Sequence, residues 1–183
     1  MRPSRPVPQP GGRKDEASGR PVRLAWGVRT PDLDQLDLAI LACLQADART
    51  IAEVIGAKVG LSAAAVQRRI KRLREAGVIE KEIAVLSPAA LGLNMTFVVM
   101  VEMERESLGV LDVFRRQVLA ESCVQQCYYV TGTADFALVV TCRDMTAFEA
   151  FSRRMFVDNP DVRHFTTSVA MDRVKVGLTL PLA

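Results

Sequence analysis

Residues 60–80 read "GLSAAAVQRRIKRLREAGVIE", and five basic side chains fall within seven positions of that stretch: Arg68, Arg69, Lys71, Arg72 and Arg74. Placed on a wheel at 100° per residue, Val66, Ile70 and Leu73 share one narrow arc, the mark of a helix with a buried stripe. Ala64, Gln67, Arg68 and Lys71 lie opposite, with Arg69 and Arg72 flanking the stripe. Ser62 stands just ahead as a candidate N-cap, and Gly60 ends whatever precedes it. A solvated helix face normally mixes signs, yet no acid occurs between Ser62 and Arg74. The face therefore begins with a small residue and an amide and then becomes cationic, a surface suited to a polyanion.

The stretches before it complete a motif. "DLDQLDLAILACLQADAR" (residues 32–49) repeats Leu33, Leu36, Ile40, Leu41 and Leu44 at helical spacing, with Asp32 or Asp34 placed to cap its start. It holds four aspartates, with no Lys or Arg before Arg49. "TIAEVIGAKVG" (residues 50–60) predicts a second short helix, with Thr50 as a possible cap. Three helices, the last two joined by a short glycine-containing turn, describe a helix-turn-helix. A basic second helix in that motif is what entry into a DNA major groove requires, with Gln67 and Arg68 long enough to reach base edges.

Beyond residue 81 the period changes. "KEIAVLSPAALGL" (residues 81–93) gives a short strand-like run followed by breakers, and reads as a hinge. Then come an apolar strand at 95–104, a helix at 107–120 with Leu111, Phe114 and Val118 inward, and strands at 123–131 and 135–143. A helix at 145–158 follows, with Phe148, Phe151 and Met155 inward, and a last strand spans 163–175. The order β-α-β-β-α-β is that of a ferredoxin-like split unit, so the fold class is α+β. The face of its sheet away from the helices is rich in Val, Met and Tyr, which favours oligomer formation.

Composition sets the outer limits. The chain has 183 residues, 49% of them apolar and 25% charged, with a net charge of +3, the profile of a soluble globular protein. The positive excess lies early: residues 1–31 carry seven basic and two acidic side chains, and six of the nine prolines. That segment reads as a disordered basic tail with general attraction for nucleic acid. It offers no signal peptide, and the chain contains no run of about 18 apolar residues, so the expectation is a cytoplasmic protein with no membrane span. Cys43, Cys123, Cys127 and Cys142 read as reduced, packed thiols. Cys123 and Cys127 are four apart, but with one histidine, His164, in the chain they do not build a metal centre. No nucleophile-base pair or phosphate loop is present, and no cofactor or catalytic residue is expected.

From residue 33 to about residue 182 the chain resembles the Lrp/AsnC family of feast/famine transcriptional regulators. "LDQLDLAILACLQADAR" is similar to the family's opening helix, and "VGLSAAAVQRRIKRLREAGVIE" to its recognition helix and the start of a wing. "CYYVTGTADFALVV" resembles its Gly-x-x-Asp strand pair, and "DMTAFEAF" and "TTSVAMDRVK" its late helix and last strand. The resemblance implies a winged helix-turn-helix over 32–81, a hinge over 82–93, and an effector-binding and oligomerisation domain, the RAM domain, over 94–183. It places Ser62, Ala64, Gln67, Arg68, Arg69, Lys71 and Arg72 on the DNA-contacting helix. It implies double-stranded DNA and a small effector, an amino acid, as partners. It also implies a homodimer pairing through the C-terminal sheets and assembling into tetramers or octamers. Gly132 and Asp135 fall on the turn near the effector pocket, with Thr167 near the same cleft. Ala134 stands where the family commonly has an aromatic ring, which implies a roomier pocket. Two rival readings share these residues: an architectural DNA-binding protein without an effector, and a tetrapyrrole decarboxylase of the same architecture.

Overall fold

The computed structural model describes residues 31–105 and 107–182. The expected basic tail, Pro31 aside, lies outside the described residues. The chain divides into two compact units between Glu80 and Lys81.

The first unit holds α1 (Gln35–Ala46), α2 (Ala52–Val59) and α3 (Ala63–Glu75). Asp34, not Asp32, caps α1. Its carboxylate accepts the Asp37 N–H at 2.8 Å while the Asp37 carboxylate accepts the Asp34 N–H at 3.2 Å, a reciprocal box made with a second aspartate. Thr50 does not cap α2. Ile51 occupies that position without a side-chain acceptor, and the Thr50 hydroxyl instead donates to the Asp47 carbonyl at 2.8 Å. Ser62 caps α3 by accepting the Ala65 N–H at 3.3 Å. Ile40, Ile55, Val66 and Ile70 interlock as the core of this unit with Leu44 half-buried against it, while Leu33 and Leu36 are half-buried.

Gly56 sets how closely the motif turns. The Leu61 N–H donates to the Gly56 carbonyl at 3.0 Å, and a Cβ on Gly56 would lie 2.4 Å from the Leu61 oxygen. Only a residue without a side chain lets the α2–α3 turn fold back onto α2. α3 ends in a Schellman motif, with Gly77 left-handed at φ +71°, its N–H bonded to Arg74 O and the Val78 N–H bonded to Leu73 O.

The strand-like run at 81–93 forms no strand. Residues 81–87 are exposed and irregular, and a single 3-10 turn covers Ala89–Leu91. An apolar run can suit a strand without supplying its hydrogen bonds, and no strand among the described residues pairs with these positions.

The second unit contains β1 (Met95–Met103), α4 (Leu108–Ala120), β2 (Val124–Tyr129), β3 (Phe136–Cys142), α5 (Met145–Ser152) and β4 (Val162–Val169). The sheet is antiparallel, in the order β2-β3-β1-β4. Alternate residues of β1 and β3 (Phe97, Val99, Val101; Phe136, Leu138, Val140) meet Leu111, Phe114 and Val118 of α4 and Phe148 and Phe151 of α5 in one core. Phe97 stacks on Phe148, and Phe114 packs on Phe136. After α5 the chain widens into one π turn (Arg153–Val157), where Arg154 forms a two-pronged pair with Glu121 at 3.0 and 2.8 Å. β4 stops at Val169, six residues short of the expected end. Val169 pairs with Phe97 and the Ala170 N–H reaches Thr96 O, one residue from the start of β1, so a β4 running on to residue 175 would have no ladder to join.

Candidate nucleic-acid interface

α3 is positioned by its own buried stripe. Val66, Ile70 and Leu73 are buried, so rotation of the helix is fixed and the opposite side is committed to solvent. Ala64, Gln67, Arg68 and Lys71 are exposed, as the wheel places them, and Ser62 and Arg72 are exposed too. Among the described residues the side chains of Gln67 and Arg68 make no hydrogen bond or ion pair. Lys71 lies 3.9 Å from Glu75 one turn on, with both side chains in solvent. Such a pair contributes little and yields readily to a phosphate.

Arg69 and Arg72 behave differently. Arg69 Nη1 donates to Asp34 Oδ2 at 2.7 Å and to Asp37 Oδ1 at 2.8 Å, and Arg72 Nη2 donates to Asp37 Oδ2. The Asp37 side chain is 1% exposed. The bond from the Asp37 N–H and the Arg69 guanidinium together hold the Asp34 carboxyl below its usual value, and Asp34 in turn raises Arg69. In the sequence the aspartates of α1 stand out as a candidate cap and as a charge segregated from α3. Sequence reasoning missed that one of them is buried and holds two arginines of α3. The spacing Asp34-x-x-Asp37 at a helix start was the available signal, since it forms a capping box whose carboxylates can serve a second helix.

The predicted ligand residues belong to the second unit. Gly132 has φ +120°, a conformation that favours glycine, and a Cβ there would meet open space, so the requirement is backbone freedom and not room. Asp135 closes the same turn. Its carbonyl accepts the Val130 N–H at 2.8 Å, its N–H donates to Val101 O at 2.8 Å, and its Oδ2 accepts the Met103 N–H at 2.7 Å. Gly132 and Asp135 are thus brought together at one end of the sheet. Thr167 is not. It pairs with Val99 on edge strand β4, two strands across from β3 and three residue steps along. That is roughly 10 Å in each direction, too far for one small molecule to touch both within a single chain.

The four cysteines are free thiols. Cys142 is buried and the others are half-buried, and burial pushes Cys123 and Cys127 up to about 11. No cluster of His, Cys, Asp or Glu among the described residues could hold a metal ion, and no helix among them is long and apolar enough to cross a membrane.

A model of the AsnC-type helix-turn-helix domain matches residues 33–74, and one of the Lrp/AsnC ligand-binding domain matches residues 96–180. The chain belongs to the Lrp/AsnC family of transcriptional regulators. An uncharacterized HTH-type transcriptional regulator of Sinorhizobium fredii is 45% identical, covering 82% of this chain and 89% of its own. The leucine-responsive regulatory protein of Rhizobium meliloti is 30% identical over 81% of this chain and 90% of its own. The crystal structure of an AsnC family regulator from Agrobacterium tumefaciens superposes with a TM-score of 0.77 at 32% identity, covering 82% of this chain and 97% of that one. A Neisseria meningitidis regulator solved as an L-Met complex gives the same score and coverage at 28% identity. For this Lrp/AsnC protein the helix-turn-helix is accordingly a DNA-binding domain.

Proposed function

We propose that this Lrp/AsnC protein is a cytoplasmic, sequence-specific regulator whose oligomer answers to a small molecule, an amino acid, and that it performs no catalysis. The observation that carries the DNA half is the exposed pair Gln67 and Arg68, without a side-chain partner among the described residues, on a helix held in register by Val66, Ile70 and Leu73. A helix N-terminal half entering the major groove presents residues at these positions to base edges, with Lys71 available to phosphate. Ser62 and Ala64 begin the same face without bulk, so the helix can approach the groove floor closely. The working division is 32–81 for DNA, 82–93 as hinge and 94–183 for effector and assembly.

The effector half is supported by the L-Met complex of the Neisseria relative and the leucine response in the name of the Rhizobium relative. In this chain Asp135 offers a carboxylate and the Gly132 turn offers backbone amides, groups complementary to an ammonium and a carboxylate. Because Thr167 is distant within one chain, its part in the same site requires another protomer. Assembly is supported by the sheet face away from α4 and α5. There Val98 and Tyr128 are exposed beside Met100 and Val139, an apolar surface that a second copy would cover.

One experiment tests both halves. Binding of a promoter fragment and of random-sequence duplex is titrated at fixed salt with and without each of the twenty amino acids, alongside thermal-shift measurements. The reading expects a preference for the promoter and a stabilising amino acid that changes it. Equal affinity for both duplexes, with no amino acid raising the melting temperature, refutes it in favour of an architectural protein.

A further inference from the structure

Two of the basic side chains on α3, Arg69 and Arg72, are held by acids of α1. Asp37 Oδ1 accepts from Arg69, and Oδ2 accepts from Arg72 and from the Asp34 N–H. Arg69 is additionally held by Asp34. With its side chain 1% exposed, Asp37 has no route to water that could replace these donors. A phosphate that took Arg69 and Arg72 would leave a buried carboxylate with both of its cationic partners gone and the Asp34 N–H as its remaining donor among the described residues, an expensive state.

We propose that Asp34 and Asp37 determine DNA selectivity by withholding Arg69 and Arg72 from the phosphate backbone, so that α3 meets DNA through Gln67, Arg68 and Lys71. This rests on the reading of α3 as the DNA-contacting helix. The physical logic is that phosphate contacts raise affinity for every sequence alike, while base contacts discriminate. Extra cations free to reach phosphate would favour nonspecific duplex. Pairing two of them to α1 lowers that background, and the same pairs clamp α3 against α1 so that Gln67 and Arg68 approach the bases at one angle. The acids are thus positioning residues that also act as an internal competitor for phosphate.

The test is the salt dependence of binding to random-sequence duplex, measured with the full chain by fluorescence anisotropy. Each phosphate contact contributes about 0.9 to the slope of log K against log salt. Lys71→Gln is expected to reduce the slope by about that amount, whereas Arg72→Gln, which leaves Arg69 on Asp37, is expected to leave it unchanged. The double variant Asp34→Asn/Asp37→Asn is expected to steepen it. Each freed arginine then changes the affinity ratio between 50 and 200 mM salt by about 3.5-fold, and the preference for a promoter fragment falls. Asparagine caps a helix as well as aspartate does, so α1 keeps its start. If the double variant does not fold, the comparison of Arg72→Gln with Lys71→Gln decides alone. A slope lowered equally by those two, or a folded double variant no steeper than wild type, overturns the proposal. A Lys71→Gln slope equal to wild type, by contrast, overturns the placement of α3 on DNA and the proposal with it.

Discussion

The carboxylate of Asp135 accepts the backbone N–H of Met103 at 2.7 Å, tying the β2–β3 turn to the end of β1. The bond falls where the β1–β4 register slips, between Glu102 and Met103, so the Met103 amide is satisfied by a side chain at an irregular point of the ladder. Asp135 therefore carries a structural duty whatever ligand it also serves.

That double role can be separated. Asp135→Ala leaves the Met103 amide without its acceptor and is expected to cost about 1–3 kcal/mol in chemical denaturation. It is also expected to abolish any amino-acid-induced thermal shift. Asp135→Asn keeps an acceptor but removes the charge, so it should retain most of the stability while losing affinity for the ammonium group. Calorimetry showing wild-type affinity in Asp135→Asn would confine Asp135 to the structural role. With Ala134 beside it in place of a ring, the favoured amino acid is expected to have a medium or large side chain.

On the DNA side, Arg68→Ala is expected to cost roughly 1–3 kcal/mol at the cognate site and much less on random sequence, because it removes a base contact. Lys71→Ala is expected to weaken both about equally and to flatten the salt dependence. Gel-shift titrations in which both variants match wild type would remove this face from the interface.

Gly56→Ala is expected to destabilise the first unit by about 1–3 kcal/mol, as overpacking of a closed turn does. The added Cβ would sit 2.4 Å from a backbone oxygen that cannot swing away. A melting temperature at or above wild type would show that the α2–α3 turn relaxes freely.

The Asp34 carboxyl is held below its ordinary value of 3.8, first by the Asp37 N–H and then by Arg69. A depressed pKa in the folded state means that the group binds its proton less readily there than in the unfolded chain. Its contribution is therefore complete above about pH 4 and is lost as pH falls further, toward and through the folded value. Asp34→Ala is expected to lower stability at pH 7 and to reduce the loss on acidification below pH 4. Parallel acid limbs for wild type and variant, followed by circular dichroism, would exclude this pair as a contributor.

What the residues decide locally was legible in the chain. The stripe Val66, Ile70, Leu73 fixed both the existence of α3 and the identity of its exposed face. The apolar run of β1 and the inward triplets of α4 and α5 likewise placed elements of the second unit in order, because hydrophobic patterning is something neighbouring residues express by themselves. What required the tertiary structure was pairing between distant segments. The acids of α1 read as a charge imbalance until folding set Asp37 under Arg69 and Arg72. The structural duty of Asp135 toward the Met103 amide was invisible until folding brought the two together, and the separation of Thr167 from that turn within one chain follows from the strand order. The start of the stretch 81–93 read as strand-like, yet a strand exists only where another backbone completes its hydrogen bonds, and that partner is a fact of three-dimensional placement that no local pattern contains.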